Sequence, residues 1–374
     1  YDVSKLTAST VRGCIIPEPG NKLAVADYSN VEGRGLAWLA GEQLALETFR
    51  SGLDIYCVTA GKMFNMDPDD IKKNRKDIRQ IGKVCELALG YSGGVGAFIN
   101  MAKVYGLDLQ GMAEMMKGTF PDHIWSAAIR GYEYARIQEK NKKGFAGKKA
   151  ERPSYDLPKK VWLTCDSIKR MWRESHPATV RFWRDLEEGA MAAIKNPGKV
   201  YWAGDSVRED GSQAIKISRT FTRENGEKIP GWWLKLEMPS GRILSYPGIG
   251  ISVEKQIEEN DYEESKQTYK ERIRYMGVNQ TTRQWGKQYT YSGKLCENLC
   301  QAFCRDLLAN ALVNVEDIAG WPIILHVHDE LVCEVPNEPE YSVEKLEQLM
   351  CALPVWAQGF PLAAEGSELM RYAK

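Results

Sequence analysis

The chain has 374 residues, with 50 lysines and arginines against 50 aspartates and glutamates, so its formal net charge is zero. That length supports two or three lobes with a real core, and the charge balance argues mildly against a nucleic-acid binder, leaving local clustering to decide. No apolar run reaches membrane-span length and no signal peptide is evident, so no membrane-spanning helix is expected. The nine cysteines are scattered with no C-x-x-C, as expected of reduced thiols in a cytoplasmic setting. Cys296, Cys300 and Cys304 repeat at helical spacing and read as one buried helix face rather than a metal site. The first residue is Tyr, so the chain reads as a fragment or a processed product.

In chain order, KLAVAD is a short buried strand ending at Asp27. SNVEGRGLAWLAGE follows as a helix, with Ser29 as N-cap and Glu32 as its capping-box partner. From about Gly52 to Leu109 the pattern is helical, and DPDD with Pro68 starts one helix. The basic, Gly/Pro-rich stretch 138–160 reads as a mobile loop or insertion. Helices return at VWLTCDSIKRMWRE and PATVRFWRDLEEGAMAAI. Residues 200–250 change to strand-like runs, with WWLKLEMPSGRILSYP a hairpin turning at Pro239-Ser240-Gly241. The polar stretch around 258–272 reads as solvated. A helix spans roughly Lys294 to Asn314, and WPIILHVHDELVCEVP is a strand–turn–strand with His328, Asp329 and Glu330 at the bend.

Two strands thus end in aspartate, at Asp27 and Asp329, far apart in the chain. As neighbours in one sheet, their carboxylates can share two divalent ions about 3.5–4 Å apart, which clamp the attacking and leaving oxygens of a phosphoryl transfer. Mg²⁺ suits such a site because it needs only one or two carboxylates besides waters and phosphates. Taken singly, each aspartate is more readily a turn or helix cap. A third feature is KKNRKDIRQIGKVCELALGYSGG, residues 72–94. Lys72, Arg75 or Lys76, Arg79 and Lys83 follow helical spacing, and Leu87 and Tyr91 extend that face. Such a face suits a triphosphate along its cations and a base at its far end; the alternative is a solvated charge run.

Together the three features resemble motifs A, B and C of the family A DNA polymerases, the group of bacterial DNA polymerase I, and most closely its phage and prophage members. ADYSNVEGR is similar to motif A, RQIGKVCELALGYSG to motif B with its frame at Arg79, Lys83 and Tyr91, and VHDE to motif C. Weaker similarity covers nearly the whole chain, including ESHPATVRFW as a late fingers helix, MPSGRILSYP as the hairpin after it and PLAAEG as the last palm strand.

The resemblance implies an α+β fold: a palm of antiparallel sheet with flanking helices, plus mostly helical fingers, with thumb and exonuclease domain largely absent. Residues 1–50 and 281–374 would form the palm, 51–195 the fingers and 196–280 a hairpin and insertion region. The implied activity is DNA-templated addition of dNTPs to a primer end, with two Mg²⁺ ions (or Mn²⁺) as cofactors. The implied partners are primer–template DNA, dNTP, and a separate chain or further N-terminal region carrying thumb and exonuclease.

The same resemblance implies the residue roles. Asp27, Asp329 and the Tyr28 carbonyl would bind metal, with Glu330 supporting. Arg79 and Lys83 would bind the triphosphate, and Lys83 would protonate the leaving pyrophosphate. Tyr91 would sit by the templating position, and Glu32 would exclude a ribose 2′-hydroxyl. His328 would contact the primer end, and Glu297 or Asn298 would face the minor groove. Three positions depart from the family pattern: Leu87 stands in place of an aromatic, Ser92 of a glycine and Tyr56 of a phosphate-binding histidine. A polymerase-like nucleic-acid-binding subunit, inactive without a partner chain, is the alternative; Glu32 argues against an RNA polymerase.

Overall fold

The computed structural model describes residues 10–142, 156–260 and 263–373. After β1 (Asn21–Tyr28), ten helices follow among the described residues: α1 (Val31–Ala40), α2 (Gln43–Arg50), α3 (Ile55–Phe64), α4 (Pro68–Asn74), α5 (Lys76–Leu89), α6 (Val95–Val104), α7 (Leu109–Met115), α8 (Asp122–Lys142), α9 (Lys159–Ser175) and α10 (Pro177–Lys195). The next part is all strand: β2 (Val200–Ser206), β3 (Gln213–Glu224), β4 (Glu227–Glu237), β5 (Ile243–Pro247), β6 (Gly250–Asn260), β7 (Glu263–Val278) and β8 (Trp285–Thr290). The chain then runs through α11 (Ser292–Leu312), β9 (Ile323–Val327), β10 (Glu330–Pro336), α12 (Val343–Met350) and β11 (Ala364–Leu369). The fold is α+β, and its three sheets are antiparallel throughout.

The sheet that matters for the site has the order β11-β1-β10-β9. Its central strand β1 is buried from Lys22 to Ala26. Leu23 and Val25 pack with Val332 and Tyr372 on one face, while Ala24, Ala26 and Tyr28 enter the main core on the other. A strand covered on both faces reads as a continuous apolar run, which is why KLAVAD was recognisable. Against the core face lies α12, and α11 packs on α12 and in turn on α1 and α10. Cys296, Cys300 and Cys304 are buried in that packing.

Several local expectations need correction. Ser29 does not cap α1: Asn30 holds that place in a left-handed conformation (φ 48°), and no side chain caps the helix. The basic ladder from Lys72 to Lys83 is not one helix face. The helix breaks at Arg75 (φ −124°, ψ 61°), where that guanidinium folds back onto Asp77, and Tyr91 lies beyond the end of α5. The reading of Pro68 at a helix start does hold, with the Asp67 side chain accepting from the Asp69 N–H.

The stretch 138–160 ends in helix on both sides, in α8 and α9, and 143–155 lies outside the described residues. Around 258–272 the backbone forms the long strands β6 and β7, which their polar composition concealed. Because β8 pairs with β7, the strand-rich part runs on to Thr290.

Candidate active site

The register of β1 sets the site. Asp27 stands opposite Glu330 of β10 on one side and Glu365 of β11 on the other. Residues paired across antiparallel strands point to the same face, so three carboxylates form a row at one end of the sheet. Asp329 occupies the β9–β10 turn beside them, and its carbonyl accepts from the Tyr28 N–H at 3.3 Å. His328 makes that turn with φ 56°, a left-handed conformation that histidine adopts more readily than most residues. The two strand-end aspartates are therefore neighbours in space. Glu330 is 3% exposed and accepts a hydrogen bond from the Tyr372 hydroxyl. The Tyr28 side chain turns into the core, where its hydroxyl donates to the Met350 carbonyl at 2.9 Å and burial pushes its pKa up.

Beside this sheet end opens a cleft of about 690 Å³, walled by α1, α5, α11 and the α9–α10 junction. Glu32, Leu87, Tyr91, His328 and Asp329 all line it. The Tyr91 hydroxyl donates to Glu32 at 3.2 Å, bridging the start of α1 to the end of α5. Asp27, Arg79, Lys83 and Tyr56 are not among the lining residues. Arg79 Nε lies 2.7 Å from Asp54, and its guanidinium sits 5.2 Å from the Tyr56 ring centre. Asp54 also caps α3, accepting from the Tyr56 and Cys57 N–H groups. Burial alone would raise the Asp54 pKa, but the Arg79 hydrogen bond and charge outweigh it and hold the carboxyl below its ordinary value. Lys83 Nζ stands 4.4 Å over the Tyr105 ring. Glu297 is half-buried on α11, and the Asn298 amide donates to the Tyr246 hydroxyl at 3.0 Å; neither lines the cleft.

Among the lining residues that escaped the sequence reading are Gln301, Arg305, Glu86 and His176. Gln301 and Arg305 continue the i, i+4 stripe from Glu297, so extending that stripe by two turns would have found them. Half-buried Glu86 and buried His176 form a pair, with His176 Nε2 3.3 Å from the carboxylate. Glu86 also accepts from Thr59 at 2.8 Å and from the Trp172 indole at 2.9 Å, while His176 Nδ1 lies 2.8 Å from the Trp172 carbonyl. Burial would discharge both groups. The partner's charge and the hydrogen bonds outweigh it, so the His176 pKa is raised and that of Glu86 lowered.

Residues 3–152 match the family model described as DNA polymerase family A. The DNA polymerase of Bacillus phage SP02 is 31% identical over 364 residues, which are 97% of this chain and 43% of that relative. The chain is thus similar to the DNA polymerases of family A. DNA polymerase I of Geobacillus stearothermophilus is 27% identical over 39% of this chain and 16% of its own length. Among solved structures, the POL domain of Pol1 from M. smegmatis in complex with DNA primer-template and dNTP is 17% identical over 97% of this chain and 42% of that one, with a TM-score of 0.48.

The chain thus spans less than half the length of the phage relative that it matches. Family A polymerases generally use divalent metal ions. Among the described residues no three His, Cys, Asp or Glu side chains form a metal cage by themselves. The Asp27–Glu330 row with Asp329 presents hard oxygen donors of the kind that divalent ions such as Mg²⁺ prefer. No helix among the described residues is long and apolar enough to cross a membrane.

Proposed function

We propose that this chain carries the catalytic centre of a DNA-templated DNA polymerase that adds dNTPs to a primer 3′ end by two-metal phosphoryl transfer, in phage or prophage DNA replication. The observation that carries the reading is the register of Asp27 against Glu330, with Asp329 in the adjoining turn at the mouth of the cleft. Asp27, Asp329, the Tyr28 carbonyl and Glu330 would hold the ions, whose part is to activate the primer hydroxyl and offset charge on the phosphates. Arg79 and Lys83 would take the triphosphate on α5, with Tyr56 beside Arg79, and Lys83 would give a proton to the leaving pyrophosphate.

Leu87 and Tyr91 would flank the nascent base pair. Glu32, held by Tyr91, would fill the space of a 2′-hydroxyl. His328 would face the primer end, and Glu297 and Asn298 the duplex. In this reading 1–50 and 281–374 make the palm, 51–195 the fingers and 196–280 the hairpin region, working in a cytoplasm, the host's where the gene is a phage's.

Primer extension with Mg²⁺ and dNTP tests the proposal. Asp27→Ala and Asp329→Ala should each lower kcat by about 10³-fold or more while the thermal melt stays cooperative. Substantial extension by either variant would remove the metal assignment. Primer–template binding without extension by the unaltered chain would instead mark a subunit that needs a partner.

A further inference from the structure

Away from the cleft, the sheet β6-β7-β8 has one face that the proposed chemistry does not use. Pairing puts Trp285 beside Val278, Lys287 beside Met276, and Tyr289 beside Arg274. These six residues therefore share one face. The opposite face is inward, with Ile273 and Thr290 buried. Along the outer face β7 continues with Arg272 and Lys270. Four cations thus stand in line with one described carboxylate, Glu254, which Arg272 takes at 2.8 Å. The Arg272 guanidinium also lies 4.3 Å over the Tyr289 ring. Arg274 and Lys287 make no ion pair among the described residues.

At the edge of this face stands Trp232 of β4. A Cβ added to Gly248 would meet both Met276 and the Trp232 ring, so the two sheets come together there with room only for glycine. Trp232, Arg274 and Met276 line a groove of about 420 Å³, with Arg219 and Glu224 on its far wall. Arg219 is held by the Gly231 and Ile194 carbonyls, which leaves its charge without a described acid partner. Trp232 is 57% exposed and Trp285 62%. A protein at peace with water does not present two indoles among arginines on a sheet; rings offer stacking faces and the cations offer phosphate contacts. Trp285 and Tyr289 are four residues apart on β8, roughly 13 Å, a spacing that a short run of extended nucleotides spans.

We propose that this face, with Trp232 at its edge, is a binding platform for single-stranded nucleic acid. A duplex keeps its bases stacked on each other and cannot offer them to the rings, so the aromatic content selects the single strand. The site stands apart from the cleft, and it stands or falls without the polymerase chemistry.

The test is direct binding by the full chain to a labelled oligothymidylate of about 16 nucleotides, read by anisotropy and by quenching of tryptophan emission. Trp285→Ala and the pair Arg274→Glu with Lys287→Glu should each weaken binding by about tenfold or more, since loss of one stacking partner or two phosphate contacts has that scale. Affinity for a blunt duplex should stay unchanged in Trp285→Ala. The substituted side chains are exposed or half-buried, and melts of the variants report whether they fold. Trp285→Phe should restore binding. Unchanged oligothymidylate affinity in both variants would overturn the proposal. Equal losses for duplex and single strand would replace it with a plain duplex-binding surface. A loss of self-association with oligonucleotide affinity intact would assign the face to a second copy of the chain.

Discussion

Glu32 accepts from Tyr91 rather than serving the start of its own helix, and this changes what its removal should do. As a capping-box partner its loss would lower stability and leave chemistry alone. In its observed place it projects into the cleft, tethered by a phenol from the end of α5. Under the polymerase reading that carboxylate is a clash built against ribose, so Glu32→Ala should lower the ratio of kcat/KM for dNTP over rNTP by about tenfold or more, a change of ~1.4 kcal/mol. Stability should change by no more than about 1 kcal/mol. An unchanged ratio removes the sugar-selecting role. At this scale the sequence told most where chemistry forces a residue into a short motif. Asp27, Asp329, Glu32 and Tyr91 stand in such strings. Glu86 and His176 were missed because each owes its place to how separate helices meet, whereas Gln301 and Arg305 lie on a helical stripe that was not followed beyond Glu297.

Elements were legible where period and burial agree. The apolar run of β1, the capped start of α4 and the amphipathic α9 and α10 all follow local rules. Strands β6 and β7 did not, because one face is charged and a polar alternation resembles a loop. Nor did the break at Arg75, which a run of cations at helical spacing conceals. The Glu86–His176 pair shows what joins elements: it ties α5 to the α9–α10 junction, with Thr59 of α3 on the same carboxylate. The sign of its pH dependence follows from both shifts.

The His176 pKa is raised from 6.5, so its contribution is complete below about that pH and is lost as pH climbs through the raised value. The Glu86 pKa is lowered from 4.5, so its contribution is present above that value and is lost as pH falls through the lowered one. His176→Gln should therefore cost most between those two limits, about 1–3 kcal/mol at pH 6, because it leaves a half-buried carboxylate without its charge partner. The deficit should shrink as pH climbs through the raised His176 value, above which the wild-type imidazole is itself neutral. Thermal melts of both proteins from pH 5 to 9 measure it. A deficit independent of pH would mean that His176 is held neutral.

For the whole molecule, the sequence motifs pointed to a shared sheet but could not show its order, since β1 pairs with strands from the far end of the chain. Nor did the zero net charge reveal how the charges are distributed. Charges further apart than about 8 Å are largely screened at physiological salt, so a molecule of this size presents local faces to a polyanion rather than its sum. Here an acidic row, Asp27, Glu330 and Glu365, ends one sheet, while another carries Arg274 and Lys287, which make no ion pair among the described residues. Binding to primer–template should therefore be weak in total yet steep in salt. Each phosphate neutralised releases counterions, and a site that neutralises about six loses about 10³-fold in affinity between 50 and 200 mM salt. The acidic row repels the same phosphates, so Mg²⁺ at fixed ionic strength should strengthen binding, and Asp27→Asn should reduce that gain without altering the salt slope. Anisotropy titrations at several salt concentrations, with and without Mg²⁺, check both parts. A slope near zero would mean that the neutral sum, and not the local faces, governs how this chain meets DNA.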